Sequence, residues 1–323
     1  MQGGFFKRWK WKIFNIFRIS YRGINERMTD LKHPIYFVSV LLLCLEFFLP
    51  DYLLASPVKQ EYKGLIVNAE FVEAQDKQKP FLIILHGTFA WNGMELPKTL
   101  QSLLADEGYG SLAMTLSLGE SNRTGFFDCQ HKIISRHQDA EQEISFWVNY
   151  VEKLGYRNLV LVAHSRGGAQ ATTYALKHPK KIDKLFLIAP MTWDKSVTKE
   201  IARPSSKQTV GDILKEIRLN KPTDLTKVNG LHCKNAVITS LAFQSYYSEF
   251  PIKDSPTLLS KINLPTRVYL GDMDRLITES FNRKSHLFEK NKQVSLLTIE
   301  DADHFFRDFA VEDIVADMLK RLE

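Results

Sequence analysis

Val160-Leu161-Val162-Ala163-His164-Ser165-Arg166-Gly167-Gly168 is the stretch on which the reading of this chain turns. Four apolar residues run into a histidine and a serine. Two glycines follow, and residues 168–177 then read as a helix that stops ahead of Pro179. A strand that turns abruptly into a helix at a serine holds that hydroxyl in a strained backbone turn at the end of a sheet. Ala163 and Gly167, two before and two after the serine, are small enough to avoid a clash across the turn. The free N–H groups of a helix beginning near Arg166 point at the same spot and favour a negative oxygen there. Ser165 is therefore a candidate nucleophile.

Outward from this turn, short apolar runs alternate with helical patterns. Residues 81–85 (FLIIL), 111–116, 159–163 (LVLVA), 184–189 (KLFLIA), 266–270 and 294–299 read as strands, with 64–69 as an earlier one. Several are apolar without alternation, as expected of strands buried on both faces of a parallel sheet. Helices are expected over 139–154, 168–177, 278–288 and 311–322. Gly155 ends the first of them, in which Ile144, Trp147, Val148, Val151 and Leu154 recur at helical spacing. Strand and helix alternating in this way imply an α/β fold with a mostly parallel, doubly wound sheet. Residues 191–262 break the alternation. They hold helical stretches around 211–219 and 235–247 among Pro, Ser and Lys, and no strong strand pattern. So long a departure inside a compact domain reads as a helical insertion.

At this point the chain resembles the α/β-hydrolase superfamily, its lipase- and esterase-like serine hydrolases in particular, over residues 60–322. The turn at Ser165 matches the family's G-x-S-x-G nucleophile elbow, with Ala163 in place of the first glycine. Leu85-His86-Gly87-Thr88-Phe89 resembles the family's His-Gly oxyanion loop. The resemblance implies that the amides of Thr88 or Phe89 and of Arg166 hold the oxyanion, with His86 and Gly87 bordering the substrate. Gly271-Asp272-Met273-Asp274 follows a strand where the family places its triad acid, and Gly-x-x-Asp selects Asp274 over Asp272. Asp194 is a third acid, because some members place it after the preceding strand. Asp272 is then expected to stabilise its loop by bonding nearby amides. Residues 300–306 (EDADHFF) resemble the triad-histidine loop, which makes His304 the base. Gly119 and Ser121 fall in a loop that borders the substrate in the family. The 191–262 insertion takes the place of the family's lid.

These residue types suit acyl transfer. A serine hydroxyl is a poor nucleophile at neutral pH; His304 takes its proton on attack and returns it to the leaving group. The carboxylate fixes the imidazole tautomer and steadies the imidazolium. The implied reaction is hydrolysis of a small-molecule carboxylic ester through an acyl-Ser165 intermediate, with no cofactor. Amidase, thioesterase and acyltransferase activities remain within the same class. The alternative is a catalytically silent scaffold that binds a partner or a small molecule. Cys129, His131 and His137 are spaced loosely enough to suggest metal ligands, but no C-x-x-C pair accompanies them, and no metal is expected.

Composition adds location rather than chemistry. Of 323 residues 44% are hydrophobic, as in an ordinary globular protein. Residues 1–33 hold Lys7, Arg8, Lys10, Lys12, Arg18, Arg22, Arg27 and Lys32 against Glu26 and Asp30, which accounts for the whole net charge of +6. The balanced remainder offers no nucleic-acid surface. The basic end precedes residues 35–49 (IYFVSVLLLCLEFFL), 15 residues with one charge. That is short for a membrane span and right for the apolar part of a signal peptide. Residues 1–56 are thus expected to be a leader or anchor, possible membrane association residing in 1–50, with the hydrolase domain at 57–323. The mature chain is expected to begin near Ser56 or Pro57, and Met28 is an alternative start. The FFKRWKWKIFNIFRI stretch also suits an interfacial basic-aromatic helix. In an exported protein Cys129 and Cys233 are expected to pair, tethering the loop to the insertion. Oligomeric state is not legible in the sequence.

Overall fold

A computed structural model describes residues 55–193, 209–248 and 253–323. The predicted leader or anchor, the alternative start, Asp194 and the middle of the insertion lie outside the described residues. Ten strands form among those described: β1 (Ser56–Tyr62), β2 (Leu65–Val72), β3 (Phe81–Leu85), β4 (Ser111–Thr115), β5 (Leu159–His164), β6 (Lys184–Ile188), β7 (Leu225–Gly230), β8 (Cys233–Thr239), β9 (Thr266–Gly271) and β10 (Val294–Ile299). Eight make one sheet in the order β1-β2-β4-β3-β5-β6-β9-β10, while β7 and β8 pair apart as an antiparallel ribbon. The pairs β1–β2 and β2–β4 are antiparallel, and every pair from β4 to β10 is parallel.

The helices are α1 (Glu95–Asp106), α2 (Ala140–Lys153), α3 (Arg166–Lys177), α4 (Val210–Ile217), α5 (Ser240–Tyr247), α6 (Ser255–Leu259), α7 (Arg275–Arg283) and α8 (Ala310–Leu322). Side chains along a strand alternate between faces, and here both faces are covered. Leu159, Leu161 and Ala163 of β5 pack into a layer with Trp147 and Val151 of α2 and Tyr174 of α3. Val160 and Val162 pack into the opposite layer with Leu100 and Leu104 of α1 and Ile314 and Met318 of α8. The uninterrupted apolar runs follow from that double burial. Each large apolar side chain so buried contributes about 1.5–3 kcal/mol.

Three elements differ from the sequence expectation. Strand β1 is a polar, half-exposed edge (SPVKQEY) with no apolar run to mark it. Helix α1 has Met94 at its N-cap, which offers no side-chain bond, so its start carries no signal, although Leu96, Leu100 and Leu104 line its buried face. The insertion is not wholly helical: β7 and β8 occupy its centre, and residues 235–239, expected to open a helix, are strand. A register shift between Val228 and Gly230 interrupts the two-residue alternation that would have announced the ribbon. The ribbon's apolar face, Val228, Ala236 and Ile238, packs with Phe89, Phe127 and Ile133 of the body. Ile133 also exchanges backbone hydrogen bonds with it, accepting from Thr239 N–H and donating to the Val237 carbonyl.

Cys129 and Cys233 are joined, linking the loop after β4 to the first residue of β8 across a sequence separation of 104. Closing so long a loop restricts the unfolded chain. Replacing both cysteines by serine is expected to cost about 2–4 kcal/mol, read as a lower denaturant midpoint. An unchanged midpoint would show that the bridge does not stabilise the fold.

Candidate active site

Ser165 lies between β5 and α3 with φ 52° and ψ −121°, a left-handed conformation that costs a non-glycine residue on the order of 1–3 kcal/mol. Backbone bonds on both sides hold it there: Ser165 N–H donates to Ile188, and its carbonyl accepts from Gly168 and Met191, each at 2.9 Å. Gly167 is required by close approach, since a Cβ there would sit 2.4 Å from the His86 carbonyl oxygen. The first turn of α3 is thereby pressed onto the end of β3.

His304 Nε2 lies 3.0 Å from Ser165 Oγ, and Nδ1 lies 2.5 Å from Asp274 Oδ2. The Asp274 carboxylate can only accept, so Nδ1 carries the proton and Nε2 is free to accept from the serine hydroxyl. Asp274 is buried and caps α7, its other oxygen accepting from Ile277 N–H. That bond fixes the carboxylate plane. Asp272 is exposed, and among the described residues its carboxylate bonds no amide, contrary to the loop-stabilising role expected of it. The two acids part because Asp274 N–H turns back to the Gly271 carbonyl, and Gly271 packs so tightly on the histidine loop that a Cβ would lie 2.2 Å from the Ala302 oxygen.

The oxyanion-loop residues are set by a buried network. His86 Nε2 accepts from Leu116 N–H at 3.0 Å, so its proton is on Nδ1, which donates to the Gly87 carbonyl at 2.8 Å. In a trans peptide the C=O and the following N–H point in opposite directions. With Gly87 C=O turned to the His86 ring, Thr88 N–H faces away from it. Phe89 follows at φ 55°, and Ala90 N–H closes the turn onto Gly87. Among the described residues the amides of Thr88, Phe89 and Arg166 have no hydrogen-bond acceptor. Arg123, buried, donates to the carbonyls of Leu116, Gly125 and Ala90 and approaches His86 at 3.3 Å, bracing three loop segments with one guanidinium. The Arg166 side chain, also buried, donates to Thr88 Oγ1 at 2.9 Å and lies over the Tyr246 ring of α5.

A cavity of about 350 Å³ opens at Ser165. Gly87, Thr88 and Phe89 line it, with His164 and His304 beside the serine. His86 does not border it but sits beneath the loop. Gly119 and Ser121 also stand away, correcting the expectation from the resemblance. Gly119 lines a separate cavity of about 310 Å³, and Ser121 Oγ accepts from Ile66 N–H in β2. Their loop returns to the cavity only further on, at Phe126, Phe127 and Cys129. Cys129 is taken up in the disulfide, which removes it from any metal-ligand set with His131 and His137. Sequence reasoning passed over His164, whose Nε2 donates to the His304 carbonyl at 2.8 Å. It also passed over Arg123 and His232, because a lone polar residue in a loop carries no periodic signal.

Residues 80–228 match the alpha/beta hydrolase fold family. The structure superposes on Est1E of Butyrivibrio proteoclasticus, solved with ferulic acid, at a TM-score of 0.61 and 18% identity, covering 81% of this chain and 98% of that one. The chain has the α/β-hydrolase fold. The Paleococcus ferrophilus monoacylglycerol lipase superposes at a TM-score of 0.57 and 16% identity, over 79% of this chain and 98% of that chain. In sequence, 131 residues are 30% identical to abhydrolase domain-containing protein abhd-5.2 of Caenorhabditis elegans. That match covers 40% of this chain and 28% of the relative's own length.

Burial sets the proton balance around this site. Desolvation, then the Arg123 charge, push the His86 pKa down to about 3. Desolvation and the neighbouring His304 push His164 down to about 3. Desolvation lifts Glu143, which accepts from Ser117 N–H and Oγ–H, to about 7. Unfolded histidines take up protons below about pH 6.5, where folded His86 and His164 do not. Their contribution to stability is therefore lost as pH falls from about 6.5 towards 3. Glu143 acts in the opposite sense: between its unfolded value of about 4.3 and about 7 the folded state holds the extra proton. Thermal midpoints are expected to fall on acidification below about pH 6.5, and more steeply in Glu143→Gln. Equal slopes in the two proteins would contradict the assignment to Glu143.

Proposed function

We propose that this chain is a serine hydrolase that cleaves a small-molecule carboxylic ester through a covalent acyl-Ser165 intermediate. The observation that carries the reading is the hydrogen-bonded line Asp274–His304–Ser165, ending on a serine held at a strained strand–helix turn. Ser165 Oγ attacks the substrate carbonyl as His304 Nε2 accepts its proton. The carbonyl electrons move onto oxygen, where the amides of Arg166 and Thr88 or Phe89 donate to it. Collapse of this species expels the alcohol, protonated by His304. Water, deprotonated by the same ring, then releases the acid. Carboxylic esters are the proposed class, as for the structurally similar monoacylglycerol lipase of Paleococcus ferrophilus; a thioesterase domain from the curacin biosynthetic pathway superposes as well, so thioesters belong in the same substrate screen.

The reading is tested by incubating residues 57–323 with a fluorophosphonate and mapping the adduct. Modification of Ser165, with turnover of esters of graded acyl length, is the expected result. Neither labelling nor turnover would return the chain to the silent-scaffold alternative.

Export or membrane anchoring is proposed with it. The Cys129–Cys233 bridge supports an oxidising compartment. Mass spectrometry of the native protein is expected to show an N-terminus near Ser56 or Pro57, or a membrane-retained full chain. A soluble cytoplasmic protein with residues 1–33 intact would contradict both forms.

A further inference from the structure

Two hairpins in this chain are closed by two-residue turns of the same kind. Between β1 and β2 the turn is Lys63-Gly64, with φ 52° and 75°. Between β7 and β8 it is Leu231-His232, with φ 53° and 70°. Positive φ at both central residues is the type I′ geometry, which strongly favours Asn-Gly and related pairs. The first turn meets that demand with a glycine at its second position. The second places a histidine there. Its surroundings enforce the conformation: Leu231 N–H donates to Tyr247 Oη at 2.8 Å, and the next residue, Cys233, is bridged to Cys129. A side chain kept where glycine would be easier points to a use for that side chain.

His232 borders the cavity that holds Ser165 and His304. The residue is partly open to solvent, and among the described residues neither ring nitrogen has a hydrogen-bond partner in the protein. Partial desolvation, then Arg166 and His304, lower its pKa, which favours the neutral ring, one donor and one acceptor, at neutral pH. Thr88 and His164 also line the cavity, but most of its wall is apolar and largely aromatic: Phe89, Phe126, Phe127, Phe305 and Met94. A cavity of about 350 Å³ is at the small end of ligand sites. It suits a single ring on a short chain better than a long acyl tail. Flat rings gain from edge and offset contacts with such walls, and an imidazole without a protein partner beside them selects for a substrate that can meet it.

We propose that His232 is a specificity-determining residue, and that the substrate of this site is a compact aryl-bearing ester whose ring carries a hydroxyl that hydrogen-bonds the His232 imidazole. This rests on the serine-hydrolase reading above, of which it specifies the substrate class. A hydroxylated ring satisfies the imidazole; a bare ring leaves it covered and unpaired, which is the larger loss.

The test compares methyl phenylpropanoate with its para-hydroxyphenyl counterpart in wild type, His232→Gly and His232→Asn. Glycine removes the side chain and suits the turn, so His232→Gly folds at least as well as wild type. Asparagine tolerates the left-handed backbone and keeps a hydrogen-bonding group. Wild type is expected to favour the hydroxylated ester by about tenfold or more in kcat/KM, mainly through KM. The preference collapses towards one in His232→Gly and is partly restored in His232→Asn. A wild-type ratio near one overturns the proposal, as does an undiminished ratio in His232→Gly. Equal loss on both esters would also overturn it, by assigning His232 a structural role. Fluorophosphonate labelling separates the two readings. Labelled Ser165 with no preference sinks this proposal alone, whereas an unlabelled wild type that turns over neither ester sinks both.

Discussion

Ser165→Ala is expected to lower ester turnover by about 10⁶-fold, as loss of the serine does in serine proteases, and to abolish fluorophosphonate labelling. The alanine retains the Cβ and the backbone bonds that hold this turn, from Ser165 N–H to Ile188 and from Gly168 and Met191 to the Ser165 carbonyl. The fold should therefore survive, and an unchanged thermal midpoint would verify that. What disappears is the hydroxyl that, among the described residues, partners His304 Nε2, so the imidazole loses the proton it is placed to take. The residual rate reports the oxyanion donors and substrate binding alone. Turnover within about tenfold of wild type, set against that large expected loss, would remove Ser165 from the mechanism.

The second large effect is at Asp274. Asp274→Asn preserves size and can still accept from Ile277 N–H to cap α7. Its amide NH₂, however, faces His304 Nδ1 where the carboxylate oxygen stood. The ring then keeps its proton on Nε2 and cannot take one from Ser165. A change of this kind in a serine protease lowers turnover by about 10⁴-fold, and a comparable loss is expected here. Asp272→Asn alters an exposed carboxylate and should stay within about twofold. Asp194→Asn completes the comparison. If either of those loses more turnover than Asp274→Asn at equal folded fraction, the acid has been misplaced.

Much of this molecule could be read from its residues because burial on both faces leaves a strong imprint. The strands at Phe81–Leu85 and Val294–Ile299 carry the predicted bounds, and the others shift at their ends by at most a few residues. Where burial is weaker the imprint fades. The edge strand β1 is half exposed, and the β7–β8 ribbon buries one face through an interrupted alternation. Neither leaves a pattern that a local window can detect. The loop residues Gly119 and Ser121 show the limit of family likeness: their loop has the expected composition, yet its path places Gly119 on another cavity and commits Ser121 to β2.

The sequence by itself determined the layered α/β architecture and the elbow at Ser165, because side-chain periodicity and the small residues at a tight turn are local properties. Through likeness to the family it also singled out His304 and ranked Asp274 above Asp272. Tertiary structure alone decided what depends on distant segments meeting. It turned Asp274 inward and Asp272 outward, set the Gly87 carbonyl against His86 through Arg123, and brought Cys233 to Cys129 across 104 residues. It also carried His232, at the tip of the β7–β8 ribbon, to the cavity at Ser165. A lone histidine at a hairpin tip has no periodicity to betray it. Its place is set by the packing of the ribbon's apolar face on Phe89, Phe127 and Ile133, a contact between residues that no short stretch of sequence contains.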